Sequence, residues 1–309
     1  MKRILVVLGL ALVALLVLPP LWFSLFPGAP PLELPLAGKR VELAPGRSVN
    51  VLDAGEGPPI VLVHGMPGSA YDWEPTRSAL LGAGFRVIAY DRMGYGHSDA
   101  REPGDVRVDD NARELLALLE GLDVQDATLV GWSYGGGTSL VAARLDPSRI
   151  RGLVLVGSVG PGIEARGAPP VWLIDFINGP VLSWISAVPP VAQRVRETMV
   201  RTAFAPEPVS PGYSALSDAN LEAPNTLDTL RREGRDLEGR VDLDPSALAL
   251  PILVIQGDGD QLVPLVVAEN LHARARDSEL RVVPSGGHML PVTRGPWLAE
   301  RIANFSQAP

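Results

Sequence analysis

The sequence has no cysteine among its 309 residues, and this absence excludes several kinds of protein. Without thiols the fold cannot depend on disulfides or thiolate metal sites, and a cysteine nucleophile is ruled out. Positive charge is in the minority: the formal net charge is −8, and Lys2 and Lys39 are the only lysines. A nucleic-acid-binding protein needs clustered cations to neutralise phosphates, and no basic stripe is present. We therefore expect no nucleic-acid partner.

What the chain does have is the composition of a folded protein. Hydrophobic residues make up 46% of the sequence and charged residues 20%, which is ordinary for a globular domain. Arginine, alanine, glycine and proline are abundant, a usage typical of a GC-rich bacterial coding sequence.

The first 26 residues differ from the rest. Lys2 and Arg3 precede an uncharged apolar run that continues, interrupted by Pro19 and Pro20, to Phe26. A run of this length can cross a bilayer, although a cleaved signal peptide has the same charged start and apolar middle. Small residues at the usual cleavage spacing are scarce, which favours a membrane anchor over residues 1–26. The positive-inside rule then leaves the N-terminus cytoplasmic and the remaining chain outside; the alternative is a secreted or periplasmic protein after cleavage.

Beyond a stiff proline-rich linker at 27–38, short apolar runs alternate with helix-patterned stretches. This alternation predicts an α/β fold, a mostly parallel sheet of eight strands with flanking helices. The predicted strands are Lys39–Leu43, Ser48–Ala54, Ile60–Val63, Arg86–Tyr90, Thr128–Gly131, Gly152–Val156, Ile252–Gln256 and Arg281–Val283. The predicted helices are Tyr71–Leu81, Val106–Glu120, Gly136–Leu145, Pro264–Ala275 and Pro296–Phe305. The first two strands are expected to form an antiparallel pair, and the core to comprise 39–159 and 246–309.

Residues 160–245 interrupt the alternation. They contain no convincing buried strand, but apolar helical patches separated by Pro-Pro and Pro-Gly pairs. This pattern predicts an inserted helical cap. Its aromatic residues, Trp172, Phe176, Trp184 and Phe204, either line an apolar substrate pocket or form the core of the cap.

A serine lies between glycines directly after the strand Thr128–Gly131, in the segment Gly131-Trp132-Ser133-Tyr134-Gly135. This G-x-S-x-G pattern at a strand-to-helix junction is typical of a nucleophile held on a sharp, strained turn. Serine needs a base within hydrogen-bond reach to act as a nucleophile at neutral pH. We therefore take Ser133 as the candidate nucleophile.

The chain offers four histidines as a base. His64 fits a loop-bracing role after a strand, His97 lies in a glycine-rich turn, and His272 falls on a solvated helix face. His288, on a loop after the last strand, is the remaining candidate. A carboxylate must hold its other nitrogen and stabilise the imidazolium. Two aspartates follow the strand Ile252–Gln256: Asp260, beside the next helix, is preferred, and Asp258 better suits a turn cap.

Several segments together resemble the α/β-hydrolase superfamily from about residue 39 onward. They are His64-Gly65-Met66-Pro67-Gly68, Asp91 to Ser98, the turn around Ser133, Gly257 to Pro264 and Gly287-His288. The order Ser, Asp, His is that of the superfamily. The resemblance implies an oxyanion hole made by the backbone N–H groups of Met66 and Tyr134, the latter at a helix N-terminus. The segment Asp91–Ser98 is interpreted as structural.

The loops around His64 and Trp132 also resemble those of epoxide hydrolases and haloalkane dehalogenases, which attack through an aspartate. Position 133 is serine, which favours hydrolysis of a small-molecule carboxylic ester. If the aromatic residues of the cap line a pocket, the substrate is expected to be apolar. Carbon–carbon hydrolase, amidase or aminopeptidase chemistry keeps the same triad, and an inert binding protein of the same fold is a further alternative. No metal constellation, phosphate loop or dinucleotide fingerprint is visible, so no cofactor is expected.

Overall fold

The computed structural model describes residues 14, 16–25, 33–35, 38–102, 104, 107–163, 181, 184–185, 187–238 and 242–308, with the backbone alone at 237 and 238. The chain divides into two compact units. The smaller unit comprises Met1–Leu32 and Pro169–Met199, and the larger comprises Glu33–Ala168 and Val200–Pro309. Every candidate site residue belongs to the larger unit.

The larger unit is built on one sheet of eight strands, which confirms the predicted α/β fold. The strands are β1 (Lys39–Ala44), β2 (Arg47–Ala54), β3 (Pro59–Val63), β4 (Arg86–Tyr90), β5 (Ala127–Trp132), β6 (Ile150–Val156), β7 (Ile252–Gly257) and β8 (Ser278–Val283). Their order is β1-β2-β4-β3-β5-β6-β7-β8. The β1/β2 and β2/β4 pairings are antiparallel and the others are parallel.

The core has two layers, one on each face of the sheet. Side chains alternate between the faces of a strand, so Ile60 and Leu62 join one buried cluster while Val61 and Val63 join the other. All residues of β5 and β7 are buried, because helices cover both faces at the centre of the sheet.

All five predicted helices of the sheet region are present, and a sixth, short helix at Leu290–Thr293 was not predicted. A 3₁₀ turn at Ala70–Trp73 leads into α1 (Glu74–Gly82), followed by α2 (Val108–Gly121), α3 (Tyr134–Leu145), α7 (Leu265–Arg274), a short α8 (Leu290–Thr293) and α9 (Gly295–Gln307). The numbers α4 to α6 belong to the inserted segment, where the structure describes α4 (Pro189–Phe204), α5 (Tyr213–Glu222) and α6 (Thr226–Glu238).

Most strand and helix ends differ from the sequence prediction by one to three residues, and three of these differences have a clear physical reason. Strand β8 begins at Ser278 because it is an edge strand, whose exposed face tolerates polar residues that hide the apolar pattern. Helix α3 begins at Tyr134, two residues early, because the turn at the serine is completed in a single residue. Pro264 is the N-cap of α7 with extended backbone, and not a residue of its first turn.

Helices joined by turns and irregular stretches make up the described part of the inserted segment. Among residues 160–163, 181, 184–185, 187–238 and 242–245 there is no strand. The end of α4 from Val200, together with α5 and α6, belongs to the larger unit. Trp172 and Phe176 lie outside the described residues, and the predicted boundaries of a separate cap, 160–245, stay a prediction.

Only part of the N-terminal segment is described. Residues 14 and 16–25 are helical, and within the smaller unit the indole N–H of Trp184 donates to the carbonyl oxygen of Leu16 at 2.9 Å. None of the helices in the described part of the chain combines the length and the apolar character that a bilayer crossing requires. Residues 1–13 and most of the predicted linker at 27–38 lie outside the described residues.

Candidate active site

Ser133 occupies a strained turn between β5 and α3. Its backbone has φ 55° and ψ −122°, a conformation that costs a residue with a side chain free energy and is characteristic of functional turns. The turn is held by hydrogen bonds from Ser133 N to Val156 O at 3.0 Å and from Gly136 N to Ser133 O at 3.0 Å. The strain is therefore compensated by the neighbouring strand and by the first turn of α3.

Two glycines make this turn sterically possible. A Cβ atom on Gly131 would lie 2.4 Å from Gly135 O, and one on Gly135 would lie 2.2 Å from Val63 O. Both distances are far below van der Waals contact. Side chains at these positions would push α3 away from β3, so the glycines on either side of Ser133 are required by packing.

The loop after β3 runs directly against the serine. A Cβ atom on Gly65 would lie 3.0 Å from Ser133 Cβ, so the backbone of Gly65 packs against the serine and leaves little room for a side chain. Met66 follows, and its bond to Pro67 is cis. Tyr134, the first residue of α3, lies on the other side of the serine, where a helix N-terminus favours negative charge. The two predicted oxyanion donors thus belong to segments that flank Ser133.

The structure brings Asp260 and His288 together. Asp260 Oδ2 lies 2.7 Å from His288 Nδ1, and both side chains are buried. The same Oδ2 accepts from Gln256 Nε2 at 2.9 Å, while Oδ1 accepts from the backbone N–H of Leu262 at 2.8 Å and of Val263 at 2.9 Å. Burial by itself raises the pKa of Asp260, but His288 and the two backbone donors outweigh burial and lower it below the ordinary 3.8. Asp260 is therefore held as a carboxylate.

His288 lies beside the turn that carries the serine. Trp132, the residue before Ser133, donates its indole N–H to His288 O at 2.9 Å, and the two rings are 5.4 Å apart. A Cβ atom on Gly157 would lie 3.3 Å from His288 Nδ1 and 3.4 Å from Asp260 Oδ2, so the end of β6 passes beneath the acid–base pair. Three distant segments of the chain converge here.

Asp258, the alternative acid, lies in the same loop with a different partner. Its Oδ1 accepts a hydrogen bond from the backbone N–H of Ser285 at 2.7 Å. This contact closes the turn that precedes His288, while the contact to the imidazole is made by Asp260.

The other three histidines have separate environments. His64 is fully buried, with Nδ1 2.8 Å from Gly65 O and Nε2 accepting from Arg92 N at 2.9 Å. Burial, and then the charge of Arg92, lower the pKa of His64 well below 6.5, so the ring is neutral. Because Nε2 accepts a hydrogen bond, the proton is on Nδ1, which donates to Gly65 O. His97 contacts Pro35 O at 2.7 Å and His272 contacts Ser278 Oγ at 2.8 Å, both in exposed positions.

A buried ion pair beneath the site was missed by sequence reasoning. Arg92, in the segment interpreted as structural, donates to Glu233 of α6 at 2.5 and 3.1 Å and to Gly65 O at 2.9 Å. In the structure Glu233 shares a buried face of α6 with Thr226 and Thr229. The spacings of three and four residues between them are the only trace of this face in the sequence. No cluster of three or more metal-ligating side chains occurs among the described residues.

Comparison with known proteins identifies the fold family of the chain. A family model described as alpha/beta hydrolase fold matches residues 58–212. The putative non-heme chloroperoxidase of Synechocystis sp. is 29% identical over 264 residues, which cover 82% of this chain and 93% of that protein. The 2-hydroxymuconate semialdehyde hydrolase of a Pseudomonas species is 28% identical over 284 residues, covering 89% and 95%.

Among solved structures, a bromoperoxidase from Bacillus anthracis matches with a TM-score of 0.76 and 26% identity, covering 88% of this chain and 100% of that one. The chain therefore belongs to the α/β-hydrolase fold family, which confirms the resemblance seen in its motifs, and it is an enzyme of that fold.

Proposed function

We propose that the protein is a serine hydrolase that cleaves carboxylic esters through an acyl-enzyme. The observation that carries the proposal is the 2.7 Å contact between Asp260 and His288 beside the strained turn at Ser133. A strained serine, a histidine and a buried carboxylate held by donors form the arrangement that activates a hydroxyl group.

In the proposed mechanism Ser133 Oγ attacks the ester carbonyl carbon and its proton passes to His288 Nε2. Asp260 stabilises the imidazolium that forms and fixes the ring orientation. The negative oxygen of the tetrahedral intermediate accepts from the backbone N–H groups of Met66 and Tyr134. His288 then protonates the leaving alkoxide, and water, activated by the same imidazole, releases the acid and restores the serine.

Labelling with a fluorophosphonate probe tests the nucleophile. We expect wild-type protein to be labelled, Ser133→Ala to lose both labelling and turnover by a factor on the order of 10⁴ or more, and His288→Gln to behave similarly. Ser78→Ala is the control, because Ser78 lies on the exposed face of α1, where its hydroxyl group donates to Glu74. Undiminished labelling of Ser133→Ala, or no labelling of the wild type, would contradict the proposal; the second result is what an inert binding protein predicts.

Rates on p-nitrophenyl esters of rising acyl length test the substrate class. An apolar acyl pocket, proposed from the aromatic residues of the inserted segment, predicts kcat/KM that rises from acetyl to longer chains. A single methylene in such a pocket changes kcat/KM by about 10-fold or more. No preference beyond acetyl would contradict an apolar pocket while leaving ester hydrolysis in place.

A second candidate reaction is hydrolysis of a carbon–carbon bond, favoured by the relative named as 2-hydroxymuconate semialdehyde hydrolase, which aligns with 89% of the chain. It uses the same nucleophile, base and oxyanion donors, so the fold and site residues are common to both. Turnover of 2-hydroxymuconate semialdehyde, with p-nitrophenyl esters hydrolysed at least 100-fold more slowly, would replace the ester proposal with this one.

We also propose that residues 1–26 anchor the enzyme in the cell membrane, with the catalytic domain on the outer side. The proposal is supported by the charged start, by the uncharged apolar run and by exposed apolar side chains in the helical part. These exposed side chains are Leu16, Val17, Leu18, Leu21, Trp22 and Leu25.

A further inference from the structure

Arg92 is a charged side chain fully buried beneath the candidate site. It follows β4, and its guanidinium group lies between the rings of Tyr95 and Tyr134, 4.7 and 4.8 Å from their centroids. Glu233 neutralises it through two hydrogen bonds of 2.5 and 3.1 Å and is itself fully buried. A buried charge without a partner is costly, so the position of Arg92 depends on Glu233.

Arg92 also fixes a peptide group of the proposed oxyanion hole. Its Nη2 donates to Gly65 O at 2.9 Å, and His64 Nδ1 approaches the same oxygen at 2.8 Å. The Gly65–Met66 peptide is planar and trans, so its C=O and N–H point in opposite directions. Two donors on the carbonyl oxygen therefore set the direction of the Met66 N–H. The guanidinium charge also polarises the peptide, which strengthens that N–H as a donor.

Glu233 is held from several sides and belongs to a different part of the chain. Besides Arg92, it accepts from the hydroxyl group of Tyr95 at 2.7 Å and from Asn111 Nδ2 at 3.1 Å. It lies on α6, in the inserted segment, whereas Gly65 and Met66 belong to the loop after β3. The route from α6 to the Met66 N–H thus consists of one carboxylate, one guanidinium group and one peptide.

We propose that Glu233 and Arg92 are positioning residues that aim the Met66 N–H at the oxyanion, so that the hole is complete only when α6 is docked. This inference rests on the proposed serine-hydrolase function and extends it. The same guanidinium group packs on the ring of Tyr134, the second proposed donor residue, so both halves of the hole depend on one ion pair.

The test is Glu233→Gln, which keeps the shape of the side chain and removes its charge and one acceptor. We expect kcat to fall about 10- to 100-fold with KM changed by less than about 3-fold, because a misdirected donor weakens binding of the transition state and not of the substrate. Affinity for phenylboronic acid, which forms a tetrahedral adduct on an active-site serine, should fall by a similar factor. Glu233→Asp keeps the charge and should retain more activity than Glu233→Gln. If the Gln variant does not fold, the same measurements are made on the Asp variant and compared with wild type.

The matched control is Asp53→Asn. Like Glu233, Asp53 is a carboxylate that accepts two hydrogen bonds from one arginine, in this case Arg86 at 3.0 and 2.9 Å, and this contact joins β2 to β4. It should lower the melting temperature and leave kcat and boronic acid affinity unchanged. Unaltered kcat and boronic acid affinity in folded Glu233→Gln would overturn the inference, as would equal losses in the control. A wild-type protein that neither labels at Ser133 nor hydrolyses esters would overturn the proposed function together with it.

Discussion

Two buried carboxyl groups near the site have pKa values displaced in opposite directions. Asp260 receives four nitrogen contacts and stays ionised. Asp72 is fully buried, and among the described residues it accepts from Ser69 N and from the hydroxyl group of Tyr213, both at 2.8 Å. Burial, with a further contribution from the charge of Asp91, raises the pKa of Asp72 to about 6. The number and charge of the donors decide which carboxyl group keeps its proton.

The raised pKa makes stability depend on pH at Asp72. The folded state keeps the proton up to about pH 6 while the unfolded chain loses it near 3.8, so the stabilising contribution is complete below 3.8 and lost as pH rises through 6. Relative to Asp72→Asn, which does not titrate, we expect the wild-type free energy of unfolding to fall by about 2 kcal/mol between about pH 4 and pH 7. Urea denaturation of both proteins across this range measures it.

Asp53→Asn provides the control of opposite sign. Burial raises the pKa of Asp53, but Arg86 and Lys39 outweigh burial and lower it, so its contribution to stability is present above 3.8 and lost as pH falls through the lowered value. The difference between wild type and Asp53→Asn should therefore grow with rising pH. A difference between wild type and Asp72→Asn that stays constant with pH would show that folding does not raise the pKa of Asp72.

At the residue scale, Ser133, Asp260 and His288 could be predicted from the sequence as candidate site residues. Each lies in a local motif, and few residue types can act as nucleophile, acid or base. Single-sequence reasoning could not reach the pairing of Arg92 with Glu233. These residues are 141 positions apart, and Glu233 lies among the other charged residues of α6, which as a group resemble a solvated face. Contacts over such distances are decided by tertiary packing.

At the scale of elements, the turn between β5 and α3 has the tightest packing of the site. Gly135→Ala would place a Cβ atom 2.2 Å from Val63 O, a backbone atom that cannot move without disturbing β3. We expect the variant to lose about 2–3 kcal/mol of unfolding free energy and most of its activity, since α3 and the Tyr134 N–H must shift. Chemical denaturation and ester turnover measure the two effects.

Gly82→Ala is the comparison, because a Cβ atom at this last residue of α1 would meet no heavy atom within 4 Å. It should be neutral or stabilising by about 0.5–1 kcal/mol, as expected for glycine replaced in a helix. If both variants have the same stability, close packing of the glycine beside Ser133 is not a determinant of the turn.

The elements themselves were predictable where periodicity was strong. All eight strands were identified, since apolar runs bounded by glycine, proline and aspartate are unambiguous at the centre of a parallel sheet. The short helix α8 was not predicted, and two further errors lie at element ends: the polar start of β8, and Tyr134, whose helical state depends on the strained turn before it. Both are decided by the tertiary setting and have no local sequence signal.

At the scale of the whole molecule, the proposed anchor determines where the enzyme acts. Each arginine introduced at the centre of a membrane helix costs about 2.5–3.5 kcal/mol. We therefore expect the full chain to stay in carbonate-washed membranes and the double variant Leu8→Arg/Leu12→Arg to leave them. Leu36→Arg, in the predicted linker, is the control and should remain bound. A soluble wild-type product with a shortened N-terminus, detected by mass spectrometry, would establish signal cleavage instead.

The order of the sheet also has a consequence for biosynthesis. Strands β1 to β6 are complete by Val156, so the turn with Ser133 can assemble on them, whereas Asp260 and His288 follow β7 and β8. Between these two groups of strands the ribosome must translate the entire helical insertion. A nascent or prematurely terminated polypeptide therefore displays the proposed attacking hydroxyl without its proposed proton acceptor, and on this proposal hydrolytic competence arises only late in translation.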